Sequence, residues 1–391
     1  MMDESSLRDD EIALPPPVAI PLTFTGSGAE YFRIWAVNVS LTLLTLGLYG
    51  PWAKARRLRY FYRHTQLDGV AFDYLAQPAV ILRGWSIALA LFVCYSVAVE
   101  YSISSAVLLS SVMCLIAPFL LWRSNQFKAR CSRYRGLTFH FSGSLGHAYL
   151  AYFPLIGLMF AVPLVTLLFA DRLSELQLLF TSAGLFLTVP LAHGISRNYV
   201  QANIWYGAEK VKYSASATNM VKIWIKSLFV MLGATLGAVF LAAVSAAMLY
   251  WIMWIFVKNP SQTESKALSE FQLIAGTLFL AWLSYQSLGS FFTTHFQNIV
   301  WSNTRFVNVS IRSNMNFWGL YGRQCKNTLF VILTLGLYRP FAAVNIAKYR
   351  LSTVRVSGWE QLDNFATGPQ TALRGAIGDS AAATFEMDLA L

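Results

Sequence analysis

The chain has 391 residues, of which 56% are hydrophobic and 13% charged, against roughly 25% charged in an ordinary soluble domain. That balance excludes a disordered chain and argues against a soluble enzyme, and apolar runs of about 20 residues or more describe an integral membrane protein. The net charge of +11, from 30 Lys and Arg against 19 Asp and Glu, reads as basic cytoplasmic loops that set orientation and meet anionic lipid. No nucleic-acid role is expected, because no binding motif of that kind is present.

Residues 1–21 read as a flexible tail: Met1 to Glu11 is acidic and runs into Pro15, Pro16 and Pro17, without the basic-then-apolar order of a signal peptide. A single membrane domain is expected over 22–365, and a second tail over 366–391. The first membrane segment, 31–63, holds a 20-residue window between Arg33 and Lys54 that contains Asn38 and ends in Gly50 and Pro51. That pair breaks or turns a helix, so the segment is expected to enter the membrane, turn, and return as the basic, aromatic helix Trp52 to Arg63.

Three apolar hairpins follow. Trp85 to Glu100 pairs with Ser104 to Trp122 (hairpin 85–122), Tyr149 to Ala170 with Leu176 to Gly194 (149–194), and Ile223 to Val257 with Phe271 to Phe292 (223–292). The last segment, 320–352, echoes the first: LTLGLYGPW at 44–52 and LTLGLYRPF at 333–341 agree at seven of nine positions at a constant offset of 289, with Pro51 matched by Pro340. Such a match signals internal duplication. Only the twelve residues Asn327 to Tyr338 separate Lys326 from Arg339 in this copy, about 18 Å of helix against a hydrocarbon core of about 30 Å, so it too is expected to be re-entrant or interfacial.

Six short segments alternate β-favourable and polar residues: Thr23 to Gly26, Val70 to Tyr74, Leu137 to Ser142, Lys210 to Ser214, Phe306 to Ile311 and Thr353 to Ser357. Open strands cannot lie in hydrocarbon, so all six must sit in water or at an interface, on one side if they pair. Six spans with two re-entrant ends put them there, and 27 of the 30 Lys and Arg then fall on that side, which the positive-inside rule makes cytoplasmic. The fold class expected is therefore a membrane all-α polytopic helical bundle with six spans, two re-entrant or interfacial segments and a small cytoplasmic β-structure of about six short strands. The alternative of eight spans would place Lys348, Arg350 and Arg355 outside and point the duplicated segments in opposite directions, as inverted repeats do in some transporters.

FTGSGAEYFRIW at 24–35, LTLLTLGLYGPWAKARRLRYFYRHTQLDG at 41–69 and the LTLGLYRPF echo carry a resemblance to the YjgN family of bacterial inner-membrane proteins, over nearly the whole chain. That family is a domain of unknown function. The resemblance implies a multi-pass protein of the bacterial inner membrane without naming a reaction. The second copy departs from the first where Asn345 and Ile346 align with Arg56 and Arg57, so any role of the double Arg belongs to the first copy alone.

The search for chemistry yields no catalytic set, no metal site and no cofactor motif. The five histidines form no HExxH or i, i+4 pair, and Cys94, Cys114, Cys131 and Cys325 form no CxxC. The membrane cores are poor in ionisable groups, which disfavours a proton-coupled pump. Two features remain. Lys54, Arg56, Arg57, Arg59 and Arg63, then Lys128, Arg130, Arg133 and Arg135, make a basic and aromatic belt suited either to anchoring or to anionic head groups. Gly233 and Gly237 open a stripe of small residues that permits close helix packing, within the chain or in an oligomer. The expected function is a non-enzymatic, passive or facilitated pathway for a small solute or lipid. A structural component that organises anionic lipid is the alternative, and a membrane-embedded enzyme comes third.

Overall fold

The computed structural model describes residues 19–169, 174, 177, 192–257, 262–306 and 309–364. The tail expected at 366–391 and most of the segment Leu176 to Gly194 lie outside the described residues. The chain is mostly helical, with small sheets. In order, the helices are α1 (Gly28–Leu44), α2 (Gly50–His64), α3 (Pro78–Tyr101), α4 (Ile103–Cys131), α5 (Leu145–Phe169), α6 (described over 192–202), α7 (Ala217–Val257), α8 (Gln262–Ser302), α9 (Phe317–Leu333) and α10 (Arg339–Ser352). Among the described residues, α3 and 104–131 of α4 are long and apolar enough to cross a membrane.

Between the helices lie short strands: β1 (Ala19–Pro21), β2 (Thr23–Phe24), β3 (Thr65–Leu67), β4 (Val70–Ala71), β5 (Asp73–Tyr74), β6 (Ser132–Tyr134), β7 (Leu137–Phe141), β8 (Ile204–Tyr206), β9 (Glu209–Lys210), β10 (Lys212–Tyr213), β11 (Thr304–Phe306), β12 (Val309–Ser313) and β13 (Val354–Ser357). Tight turns join β3 to β4, β6 to β7 and β8 to β9. Asp68 and Gly69 take φ of 53° and 70°, and Arg135 and Gly136 take 44° and 81°, the backbone of a two-residue hairpin turn that glycine at the second position makes easy.

The pairing runs in a circle. β2 pairs with β3, β3 with β4, β5 with β6, β6 with β7, β7 with β8, β8 with β9, β10 with β11, β11 with β12, β12 with β13, and β13 with β1, all antiparallel. β1–β2, β4–β5 and β9–β10 are each one arm interrupted by a single residue, Leu22, Phe72 and Val211 respectively, and β7 itself pairs with β6 in its first half and β8 in its second. Every such arm bridges two neighbours, so the ring has no free edge. One side chain after another turns into it: Leu22, Leu67, Tyr134, Tyr206, Phe306 and Val354 are all buried in one cluster. Burying each is worth about 2 kcal/mol. The Tyr206 hydroxyl donates to the Tyr134 carbonyl at 3.0 Å and the Tyr134 hydroxyl to the Leu67 carbonyl at 2.9 Å, which stitches three alternate arms, β8, β6 and β3, from within. A 3-10 turn, Trp359–Asn364, adds Trp359 and Leu362 to this core. The ring is filled, not open.

The hairpin turns occupy one rim of the ring and the helices leave from the other. The exit is built the same way at each place. The residue after an arm donates its N–H to the carbonyl that ends a returning helix: Thr25 to His64, Leu75 to Cys131, Ser142 to Asn203, Ser214 to Asn303 and Asn314 to Thr353, all at 2.8–3.2 Å. Then Ser27, Ser144, Ser216 and Asn316 cap the departing helix by accepting from an N–H two or three residues on. Gly26 and Gly143 precede two of these caps because an added Cβ would stand under 3 Å from Tyr60 and Tyr199, whose hydroxyls donate to the carbonyls of Ser27 and Ser144. The helices then pack in chain order and α10 returns against α1.

Two expectations need correction. The strand arms number ten, not six: β3, β6, β8 and most of β11 lie outside the six expected segments, and Ala19–Pro21 stands where the sequence predicts the tail. Each of these arms is only three residues long, too short for a period-two pattern to announce it. The reversal in the end hairpins also falls earlier than Gly50, Pro51 and Pro340. Leu46 and Gly47, with φ of 49° and 93°, make the turn, and Leu335 and Gly336 repeat it at 49° and 94°. Pro51 and Pro340 are buried in the first turn of α2 and α10, where a missing N–H costs nothing, and Gly50 opens α2 in free space.

Candidate functional site

Polar groups gather in three places: around the ring and the helix ends that meet it, along α8, and around α6. The basic belt comes first. Asp73 on β5 accepts from Arg63 at 3.0 Å and from Arg133 at 2.9 Å, tying α2 and β6 to one carboxylate. Burial pushes the Asp73 carboxyl up, but the two guanidinium groups and the Tyr74 N–H outweigh it and hold it below the usual carboxylate range. Arg135 pairs with Asp68 at 3.0 Å, joining the turns of adjacent hairpins, and stacks over Trp359 at 6.0 Å. Arg59 donates to the Ala76 carbonyl at 3.5 Å. Arg56 is exposed and lies over the Tyr49 ring at 5.7 Å, while Lys54, Arg57, Lys128 and Arg130 are partly buried on α2 and α4. The structure thus brings Arg63 and Arg133 together and gives them, with Arg135, structural ion pairs. Burial, with the Arg130 charge beside it, keeps His140 below its ordinary value.

The second part is a column of uncharged polar groups on α8. Gln286, Ser290, Thr294 and Gln297 are buried at near four-residue spacing, which puts them on one face. Gln286 donates to the Thr328 hydroxyl and to the Gln324 carbonyl, Ser290 donates to the Gln324 side-chain oxygen, and Gln297 donates to the Arg350 carbonyl at 3.0 Å while accepting from Arg350 Nε at 2.8 Å. Burial pulls Arg350 down to about 10. Hydroxyls of Ser287 and Thr294 are buried without a partner among the described residues.

The third part surrounds α6. Asn125 of α4 donates to the Tyr152 hydroxyl of α5 at 2.7 Å, the Tyr152 and Tyr199 rings meet edge to face at 5.9 Å, and His193 packs on Phe296 of α8 at 5.1 Å. Arg197 interacts electrostatically with Tyr152 and Tyr213. Asn125, Arg197 and Gln297 each lie seven residues before the next strand, so they share one level about 10 Å below the ring.

Gly233 and Gly237 sit in the middle of α7 with nothing near them and face outward, so among the described residues they contact no other helix of this chain. Sequence reasoning passed over Gln286, Ser290, Thr294 and the group around Arg197 because it searched the membrane segments for ionisable residues. The i, i+4 recurrence of Gln, Ser and Thr on an apolar helix was the available signal.

Farther from the ring the character changes. On α3 the buried positions end at Ala88, and on α7 the described ones end at Ser227. Beyond them large apolar side chains such as Phe92, Val97, Leu236 and Phe240 are exposed. In the end hairpins the tips carry Leu46, 93% exposed, and Leu335, 95% exposed. Asn38 and Asn327 are buried just above them, each donating across its hairpin, to the carbonyls of Ala53 and Ala342.

A filled β-ring with apolar helical hairpins on one rim and buried polar groups between them defines a helical chain of membrane type. The chain belongs to the family described as bacterial protein of unknown function (DUF898), whose model matches residues 19–384. It is similar to the inner membrane protein YjgN of Salmonella typhimurium strain LT2, 24% identical over 86% of this chain and 88% of that protein. Inner membrane proteins YjgN of Escherichia coli O157:H7 and K12 are each 22% identical over 82% of this chain and 84% of theirs. No solved structure matches the chain.

Proposed function

We propose that this chain is a non-enzymatic protein of the bacterial inner membrane that gives a lipid or small solute a passive or facilitated path between its helical hairpins. The names of the relatives support the membrane, and the ring supports the orientation, because strand arms and their turns belong in water and 27 of the 30 Lys and Arg fall on their side in this reading. In this reading the hairpins 78–131, 145–202 and 217–302 make six spans, and α1–α2 and α9–α10 are duplicated re-entrant hairpins whose leucine tips stop within the acyl chains. Both termini are then cytoplasmic.

The observation that carries the path is the halt in packing. The ring is filled by its own core, so nothing passes through it. Farther from the ring, the described outer halves of α3 and α7 bury almost nothing, so acyl chains reach between the hairpins down to Gln286 and its neighbours. Reconstituted protein should therefore speed exchange of a labelled phospholipid, or of a small polar solute, between the two sides of a vesicle, and Ala88→Trp should slow it. Rates equal to those of protein-free vesicles for both probes would sink the proposal. A cytoplasm-active reporter fused after Leu391 should be active, and a periplasmic one silent.

A second reading, organisation of anionic lipid, is favoured by the exposed Arg56 stacked on Tyr49 beside the first re-entrant tip. Arg56→Gln with Arg57→Gln should then lower co-purified phosphatidylglycerol, with no effect on exchange.

A further inference from the structure

Buried polar groups under the ring mostly satisfy one another, and the surroundings of Arg197 are the exception. Arg197 follows His193 by four residues on α6, so the two side chains leave the same face of that helix. The phenols of Tyr152 and Tyr213 both act electrostatically on the Arg197 guanidinium. The Tyr152 hydroxyl is already engaged by Asn125. Tyr213's hydroxyl and Nε2 of His193 are buried and have no hydrogen-bond partner among the described residues. The ion pairs formed by described residues use Arg63, His64, Arg133 and Arg135, and none reaches Arg197.

Arg350 makes the contrast clear. It is another half-buried arginine near the ring, yet its Nε is closed onto Gln297, and Gln297 returns a bond to its carbonyl. A half-buried guanidinium without an acid among the described residues, with the two idle buried atoms of His193 and Tyr213 beside it, is an unfinished site, because unmet buried polar groups are costly.

We infer that Arg197, Tyr213 and His193 form a seat for a phosphate-type oxyanion, carried either by a phospholipid headgroup or by free inorganic phosphate. The planar guanidinium fork grips two oxygens at once, the phenol donates a third bond, and a neutral imidazole donates through Nε2 when its proton lies there. The seat lies about 10 Å below the ring, on the ring side of the level where the proposed path begins at Gln286. This inference deepens the proposed path by naming the chemistry it leads to, and it relies on that reading only for the membrane placement.

The test uses delipidated full-length protein in phosphate-free maltoside, titrated with inorganic phosphate, with dioctanoyl phosphatidylglycerol, and with dioctanoylglycerol, which has the same chains and no phosphate. Thermal unfolding midpoint is the readout. A phosphate-bearing probe should bind saturably while dioctanoylglycerol does not. Arg197→Gln should weaken that binding by about tenfold or more, Arg197→Lys by less, and Tyr213→Phe by about threefold. Binding of inorganic phosphate alone points to the free ion, and binding of the phospholipid only points to a headgroup. Should Arg197→Gln not fold, Tyr213→Phe and Arg197→Lys decide in its place. Equal binding of dioctanoylglycerol, or binding unchanged in the variants that fold, overturns the inference. Because binding is read without flux, a vesicle that shows no exchange would sink the path and leave the seat standing.

Discussion

The two ends of the helices obey different rules. Near the ring, residues are fixed by several partners: Tyr206 is 1% exposed, fills the ring and bonds the next arm but one. Farther out, Phe92 on α3 is 64% exposed and contributes only its affinity for hydrocarbon. The chain therefore concentrates specificity in a thin layer and leaves the outer helices to the solvent they lie in. Lipid replaces core there, since between apolar helices it is as good a neighbour as another leucine.

Mutations can break or sharpen this contrast. Tyr206→Ala should cost the most, about 3–5 kcal/mol, because it empties the centre of the ring and orphans the Tyr134 carbonyl, and denaturant unfolding in detergent reads it. Gly47→Ala and Gly336→Ala should each cost about 1–2 kcal/mol, since both glycines hold φ above 90°, and the two losses should be alike because the two turns share every hydrogen bond from threonine to tyrosine. Unequal losses would mean the turns differ in ways their backbones do not show.

Asp73→Asn should cost about 1 kcal/mol at neutral pH. The folded carboxyl titrates below its unfolded value near 3.8, so its contribution is present above that pH and fades as the pH falls through the lowered folded value. Acid unfolding of the wild type should carry that component and the variant should lack it. Phe92→Ala, at the far end of the scale, should change stability by under about 0.5 kcal/mol, because no cavity opens where lipid is already the neighbour. A loss of several kcal/mol would show that this face is covered.

Much of this architecture could be read from residues. The long apolar helices α3, α4, α5, α7 and α8, the short end segments and the second arms such as Leu137–Phe141 announce themselves by hydrophobic length and alternation. Asp68–Gly69 and Arg135–Gly136 were legible hairpin turns, and weighing them would have exposed β3 and β6. Closure of the ring was not legible, because Ile20 meets Val356 through backbone bonds that any sequence of suitable polarity would make. The belt shows the opposite limit. Its charge was obvious, but only geometry reveals that Asp73, far from either cluster in composition, takes up Arg63 and Arg133 together. The seat around Arg197 was hidden for a similar reason: Arg197 reads as one more basic residue at a helix end, and only the fold brings Tyr213 of β10 to bear on it.

Pairing of β1 with β13 makes the circle a clasp fastened last. Residues 19–21 leave the ribosome before any helix, yet their partner is made only after every hairpin has been synthesised, so the first strand must wait in solution while the membrane part is inserted. Assembly is thus timed by the end of translation. A circular permutant opened at the Asp68–Gly69 turn, with the old ends joined, would move that final fastening to another place in the same circle.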